Sequence, residues 1–301
     1  MAAFRSATPD SLDRPGHSWS PAHLAALLTA NVALAFGPWL VRLADTGPVA
    51  AGFWRLSLAL PVLAILSLRE PASQRRLSGG LLWLVAGGGL FFGLDLASWH
   101  IGIETTKLGN ASLFGNSGSV ILMAWGLVTA GRAPRIIELA AIGAALIGAA
   151  LLMGSSLEIS HASFVGDLFC ALAGLFYAFY ILMLRPARAG LGQFTVLGVS
   201  MLASAPVMLG VALLLGEKIV PHNWTPLIAL AISSQLIGQG LLIYSLRHFP
   251  PLVIGLALLT QPAISATIGW LAFSEALTAP DVIGMVLLAA ALVMARAGDR
   301  S

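Results

Sequence analysis

The chain has 301 residues, of which 58% are hydrophobic and only 10% charged, and its mean hydropathy is +0.89. An ordinary soluble domain carries about 25% charged residues, so a surface built from this composition cannot face water over most of its area and must face lipid. The net charge of +3 and pI near 9.5 do not point to a nucleic-acid partner, because the basic residues are scattered between apolar runs instead of forming one patch.

Residues 1–22 hold Arg5, Asp10, Asp13 and Arg14, broken by Pro9 and Pro15. No apolar run precedes a cleavage-like site, so this segment is read as a disordered tail and not as a signal peptide. A spanning helix needs about 20 apolar residues, and ten runs qualify: His23–Ala44, Val49–Leu68, Gly79–Ile101, Leu108–Ala130, Ile136–Gly154, Phe164–Leu184, Phe194–Leu215, Trp224–Leu246, Leu252–Phe273 and Pro280–Ala295. Nearly every gap carries Pro, Gly or clustered charge, as turns between helices do. The runs do not alternate apolar and polar residues, which argues against a membrane β-barrel. Residues 297–301 form a short second tail.

The first span carries Asn31, then a Gly37-Pro38 break, Trp39 and, near its end, Arg42; the second carries Arg55. In the third, Phe92, Asp95 and Trp99 fall at i, i+3 and i+7 on one helix face. Charges inside a bilayer are costly unless paired or facing water. By residue count Arg42, Arg55 and Asp95 all lie in the same half of the membrane and could meet. Either they form a structural ion pair, or Asp95 lines a pathway and binds an ammonium or a proton. The fourth span is unusually polar, with Asn110, Ser112, Asn116, Ser117 and Ser119; these either hold helices together or touch a substrate. Cys170, alone of its kind, reads as a small core residue of the sixth span, where Tyr177 and Tyr180 are three apart.

Gln235 and Gln239 share a face of the eighth span, which also carries Tyr244; Gln261, Pro262 and Ser265 follow in the ninth. Neutral amides can bind a zwitterion without burying a net charge. Pro262 frees a carbonyl one turn earlier and offers a bend for gating. Trp19, Trp83 and Trp224 lie near span ends, where interface anchors are expected.

With ten spans, alternate loops share a side. One side holds Arg5, Arg14, Arg69, Arg75, Arg76, Arg132, Arg135, Arg185, Arg188, Arg247, Arg296 and Arg300, and the other only Arg42, Lys107 and Lys218. This bias puts both termini in the cytoplasm of a cell with an inner membrane. Residues 106–147 also match residues 252–293 at an ungapped shift that pairs Gly109 with Gly255, Ser119 with Ser265 and Ala133-Pro134 with Ala279-Pro280. Two five-helix units, residues 23–154 and 163–296, have an odd span count, so the second inserts upside down. Inverted repeats enclose one midplane site reachable from either face. The same alignment sets Asn116 at the position of Pro262. The expected fold is therefore all-α: ten transmembrane helices in two inverted repeats around a central cavity.

Several short motifs resemble the drug/metabolite transporter superfamily in its ten-helix EamA-type branch: Phe36-Gly37-Pro38-Trp39-Leu40-Val41-Arg42, Gly52-Phe53-Trp54-Arg55, Gln261-Pro262, Ser274-Glu275 and Gly284. The resemblance implies export of small metabolites. The Trp/Phe-rich, weakly acidic interior is most similar to the branch that exports aromatic and other neutral amino acids. It implies cavity roles for Asn31, Trp39, Phe92, Asp95, Trp99, Asn110, Asn116, Ser117, Tyr177, Tyr180, Gln235, Gln239, Tyr244, Gln261 and Ser265. Structural or gating roles fall to Pro38, Arg42, Arg55 and Pro262. The expected partners are a small-molecule substrate and the bilayer, with one chain sufficient and no cofactor or metal. Efflux of cationic drugs is the alternative. A remoter one is an intramembrane protease, since Gly115-Asn116-Ser117-Gly118 fits a short G-x-S-G pattern; that chemistry would need a histidine at Ser117.

Overall fold

The computed structural model describes residues 20–106, 111, 114–154, 164–273 and 277–300. Six spans are long and apolar enough to cross a membrane: Pro21–Leu43, Pro48–Leu68, Gly79–Thr105, Phe164–Ala187, Gln193–Leu214 and Thr225–Ser245. Four shorter apolar helices, Ser117–Thr129, Ile136–Leu152, Pro251–Ile264 and Ala279–Ala295, fill the remaining places in the expected order of ten. Local chemistry sets their starts. Ser20 and Ser78 accept hydrogen bonds from the backbone N–H groups of His23 and Leu81. Pro48, Pro226 and Pro251 occupy first turns, where a missing N–H costs nothing.

Several spans are irregular near their middles. The first breaks at Phe36 into Pro21–Ala35 and Gly37–Leu43, since Pro38 has no N–H for the Leu34 carbonyl. The ninth splits into Pro251–Leu258 and Gln261–Phe273. There Pro262 leaves the Leu258 carbonyl without its helical donor, and the Thr260 hydroxyl donates to Ala257 O at 2.6 Å. The eighth is α-helical over Thr225–Leu230 and Gly240–Ser245 but π-helical over Ala231–Gln239. The fourth and ninth spans restart at Ser117 and Gln261.

The two halves are interleaved. The third span packs on the sixth and seventh, the second on the seventh, the first on the π segment of the eighth, the fourth on the ninth and the fifth on the tenth. Each of these contacts joins one repeat to the other. Bare glycines permit close approach: a Cβ on Gly89 would lie 2.1 Å from Ser200 O, and one on Gly148 2.7 Å from Gly284 O.

The second and seventh spans run antiparallel and exchange caps. Glu217, just past the end of the seventh, accepts hydrogen bonds from Val49 N (3.2 Å) and Ala50 N (2.7 Å) at the start of the second. Glu70, just past the end of the second, accepts from Phe194 N (2.8 Å) and Thr195 N (3.0 Å) at the start of the seventh, and from the Thr195 hydroxyl at 2.6 Å. Each carboxylate satisfies donors that a helix start leaves free and meets the positive end of its dipole. Loops expected to share a side also touch: Gly47 N donates to Lys218 O at 3.1 Å, and Gly192 N to Gln74 O at 2.9 Å. The first pair lies on the arginine-poor face and the second on the arginine-rich face.

Candidate functional site

Midway along the bundle, the second, third, sixth, seventh and eighth spans bring polar and aromatic side chains into one buried group. Arg55 and Asp95 are each 8% exposed. They lie within electrostatic reach of one another and of Tyr177 and Tyr180, without closing to an ion pair. Instead, Arg55 Nε donates to Gln235 Oε1 at 2.9 Å, and the guanidinium stands 5.9 Å from the centre of the Phe92 ring. Gln235 is held in turn by Met201, whose sulfur lies 2.7 Å from Nε2. No hydrogen-bond donor among the described residues reaches the Asp95 carboxylate.

The rings beside this pair are stacked on each other. Phe92 and Tyr180 are 4.5 Å apart and nearly parallel, Tyr177 is 5.8 Å from Tyr180, and the Tyr180 hydroxyl donates to Gln239 Oε1 at 3.4 Å. Both glutamines come from the π segment. Its wider turns hold Ser234, Gln235, Gly238 and Gln239 all buried, and π turns are found mostly at functional sites. Near this group Gln261 Nε2 donates to Asn31 Oδ1 at 3.3 Å, while Asn31 Nδ2 donates to Leu27 O.

Arg42 does not join Asp95 and Arg55, contrary to the sequence expectation that the three could meet. It lines a separate cleft of about 310 Å³ at the arginine-poor end, with Pro38, Trp99, Thr46 and Glu104 among its walls. Trp99 stands one helical turn beyond Asp95, so the predicted stripe runs from the buried group to this cleft. Trp39 is 44% exposed on the outside of the bundle, with its ring 6.5 Å from Phe36. Tyr244 lies at the opposite end, packed against His23 and His248. Burial, and then the nearby Arg247 and Arg188 guanidinium groups, hold the His248 imidazole below its ordinary pKa.

Ser117 donates to Ala171 O at 3.3 Å and ties the fourth span to the sixth. His100 Nδ1 turns to Leu96 O on its own helix, 2.6 Å away, where a carbonyl can only accept. Asn116 is half-buried at the helix restart, and Pro262 sits just past the ninth-span break. Asn110, Trp19, Ser274 and Glu275 lie outside the described residues, as does the side chain of Ser265. Of the expected anchors, Trp83 is 77% exposed and Trp224 packs edge-on against Trp54 at 4.8 Å. Four participants carried no signal in the sequence reading. Met201 supports Gln235, Glu104 and Thr46 line the cleft, and Arg188, counted as a loop cation, is 5% exposed and donates to the Ile243 and Leu191 carbonyls.

A model of the EamA-like transporter family matches residues 21–154 and 164–297. The chain is 26% identical over 278 residues to the threonine/homoserine exporter RhtA of Escherichia coli (strain K12), covering 91% of this chain and 90% of that protein. Its counterpart in Salmonella typhimurium (strain SL1344) is 25% identical over the same length. A protein of known crystal structure shares the fold with a TM-score of 0.79 at 16% identity, covering 93% of this chain and 98% of that one.

Proposed function

Because the chain belongs to the EamA-like transporter family, and is thus a membrane transporter and not an enzyme, we propose that it exports neutral amino acids through the buried Arg55–Asp95 site. The observation that carries this reading is the state of that pair. Arg55 is fixed through Nε by Gln235, which leaves its two terminal nitrogens for a ligand, while Asp95 has no donor of its own among the described residues. A zwitterion answers both needs, with its carboxylate on the guanidinium and its ammonium on the carboxylate. A cationic drug answers only one and meets repulsion from Arg55, so the drug-efflux alternative is the weaker reading.

The aromatic walls sharpen the choice of side chain. Phe92 and Tyr180 are 1% and 0% exposed and spend their faces on each other, which leaves little ring surface to stack a substrate ring. Small polar amino acids therefore rank ahead of aromatic ones, in keeping with the threonine/homoserine exporter relatives. Counterflow into proteoliposomes tests this. Labelled threonine should accumulate when the vesicles are preloaded with unlabelled threonine, and more strongly than tryptophan does under tryptophan preload. Accumulation of a cationic dye with none of any amino acid would overturn the proposal.

A further inference from the structure

The cleft at the arginine-poor end is not accounted for by the central site. Its walls include one cation, Arg42, and one carboxylate, Glu104. Both are exposed, yet they form neither an ion pair nor a hydrogen bond with each other or with any described residue. Thr46 also lines the cleft, and its hydroxyl oxygen is buried with no hydrogen-bond partner among the described residues. Trp99 contributes an indole ring, and Pro38 a rigid apolar side. Opposite charges that line one cleft without meeting any described partner leave both available to a ligand of complementary charge.

We propose that this cleft is a second binding site, for a free α-amino acid on the outer side of the central one. The ligand's carboxylate lies on Arg42 and its ammonium on Glu104. A volume of about 310 Å³ accommodates a small or medium amino acid. Its place one helical turn from Asp95, along the Asp95–Trp99 face of the third span, makes it the station that receives substrate leaving the central site. The inference rests on the reading of the chain as an amino-acid carrier and adds a second occupant to it.

The test is equilibrium binding of labelled threonine to the purified full chain, scored as molecules bound per chain. Two per chain are expected. Arg42→Gln or Glu104→Gln should weaken one of the two by about tenfold, the loss typical of one charge-assisted contact. Asp95→Asn should remove the other and leave the cleft occupied. The double exchange Arg42→Glu with Glu104→Arg keeps both charges, so it should restore the second molecule, which a purely structural role for either residue would not do. One threonine per chain, lost in Asp95→Asn and unmoved by the Arg42 and Glu104 variants, overturns the cleft and leaves the central site standing. No binding of threonine or any other neutral amino acid overturns both.

Discussion

Asp95 and Arg55 show why a buried charge pair that fails to close is a functional signal. Two charges of opposite sign in a low-dielectric interior gain most by meeting, and desolvation is repaid only when geometry and hydrogen bonds are complete. Here the guanidinium is turned toward Gln235 and over the Phe92 ring, and the carboxylate is left without a donor. A site that relaxed onto its own ion pair would have to break that pair for each substrate; this one keeps both groups available. Asp95→Asn removes the negative charge that faces an ammonium, and losing a charge-assisted contact of that kind costs about 3 kcal/mol, or a fall of about 100-fold in threonine counterflow. Arg55→Gln should lose as much while sparing competition by amines that lack a carboxylate. Undiminished counterflow in Asp95→Asn would remove this carboxylate from the pathway. The residues of the pair were legible because charge is rare in such spans. Glu104 and Thr46 were not, because at a span end a carboxylate or hydroxyl is ordinary and only its lack of a partner is informative.

At the level of helices, the second and seventh spans are fastened at both ends by Glu70 and Glu217, each capping the other span's first turn. Because the fastenings lie on opposite faces and are present together, the two helices are tied at both ends as a strut across the repeat boundary. On the arginine-poor face the strut is reinforced by Asp45, which accepts from Lys218 Nζ and His222 N at 2.8 Å each. The Lys218 hydrogen bond, followed by that from His222, holds the Asp45 carboxyl far below the usual carboxylate range. Glu70→Gln and Glu217→Gln should each cost about 1 kcal/mol, as lost helix caps do, and the double variant should lower the melting temperature by more than either single one. Thermal unfolding of the three variants checks this, and a melting temperature unchanged in both singles would show that the caps contribute nothing. Most span limits were readable from Pro, Gly and Ser at helix starts; Ile136–Gly154 begins and ends where the hydropathy placed it. The Phe36 break and the ninth-span bend announced themselves through Pro38 and Pro262. The π segment and the exchanged caps did not. The first depends on one extra residue per turn, which leaves no mark on composition, and the second joins residues 124 to 168 positions apart.

For the whole molecule, interleaving means that neither repeat has an interior of its own. The third span finds its main partners in the sixth and seventh, and the fifth in the tenth, so the central group draws its members from both halves at once. This is the physical sense of an inverted duplication: a five-helix unit too thin to enclose a polar cavity does so with its upside-down copy. The contacts fix which loops share a face, since Gly47 meets Lys218 and Gly192 meets Gln74. The arginine bias predicts which face is which, with the Gln74 side and both termini expected in the cytoplasm. The chain offers a clean test, because Cys170 is its sole cysteine and is fully buried, so an introduced thiol is read against little background. A membrane-impermeant maleimide added to intact cells should label Asn223→Cys, on the Lys218 side. It should reach Ser73→Cys, beside Gln74, only after the cells are permeabilised. The reverse pattern would invert the molecule in the membrane, and the cleft around Arg42 and Glu104 would then face the cytoplasm, where it would load substrate instead of releasing it.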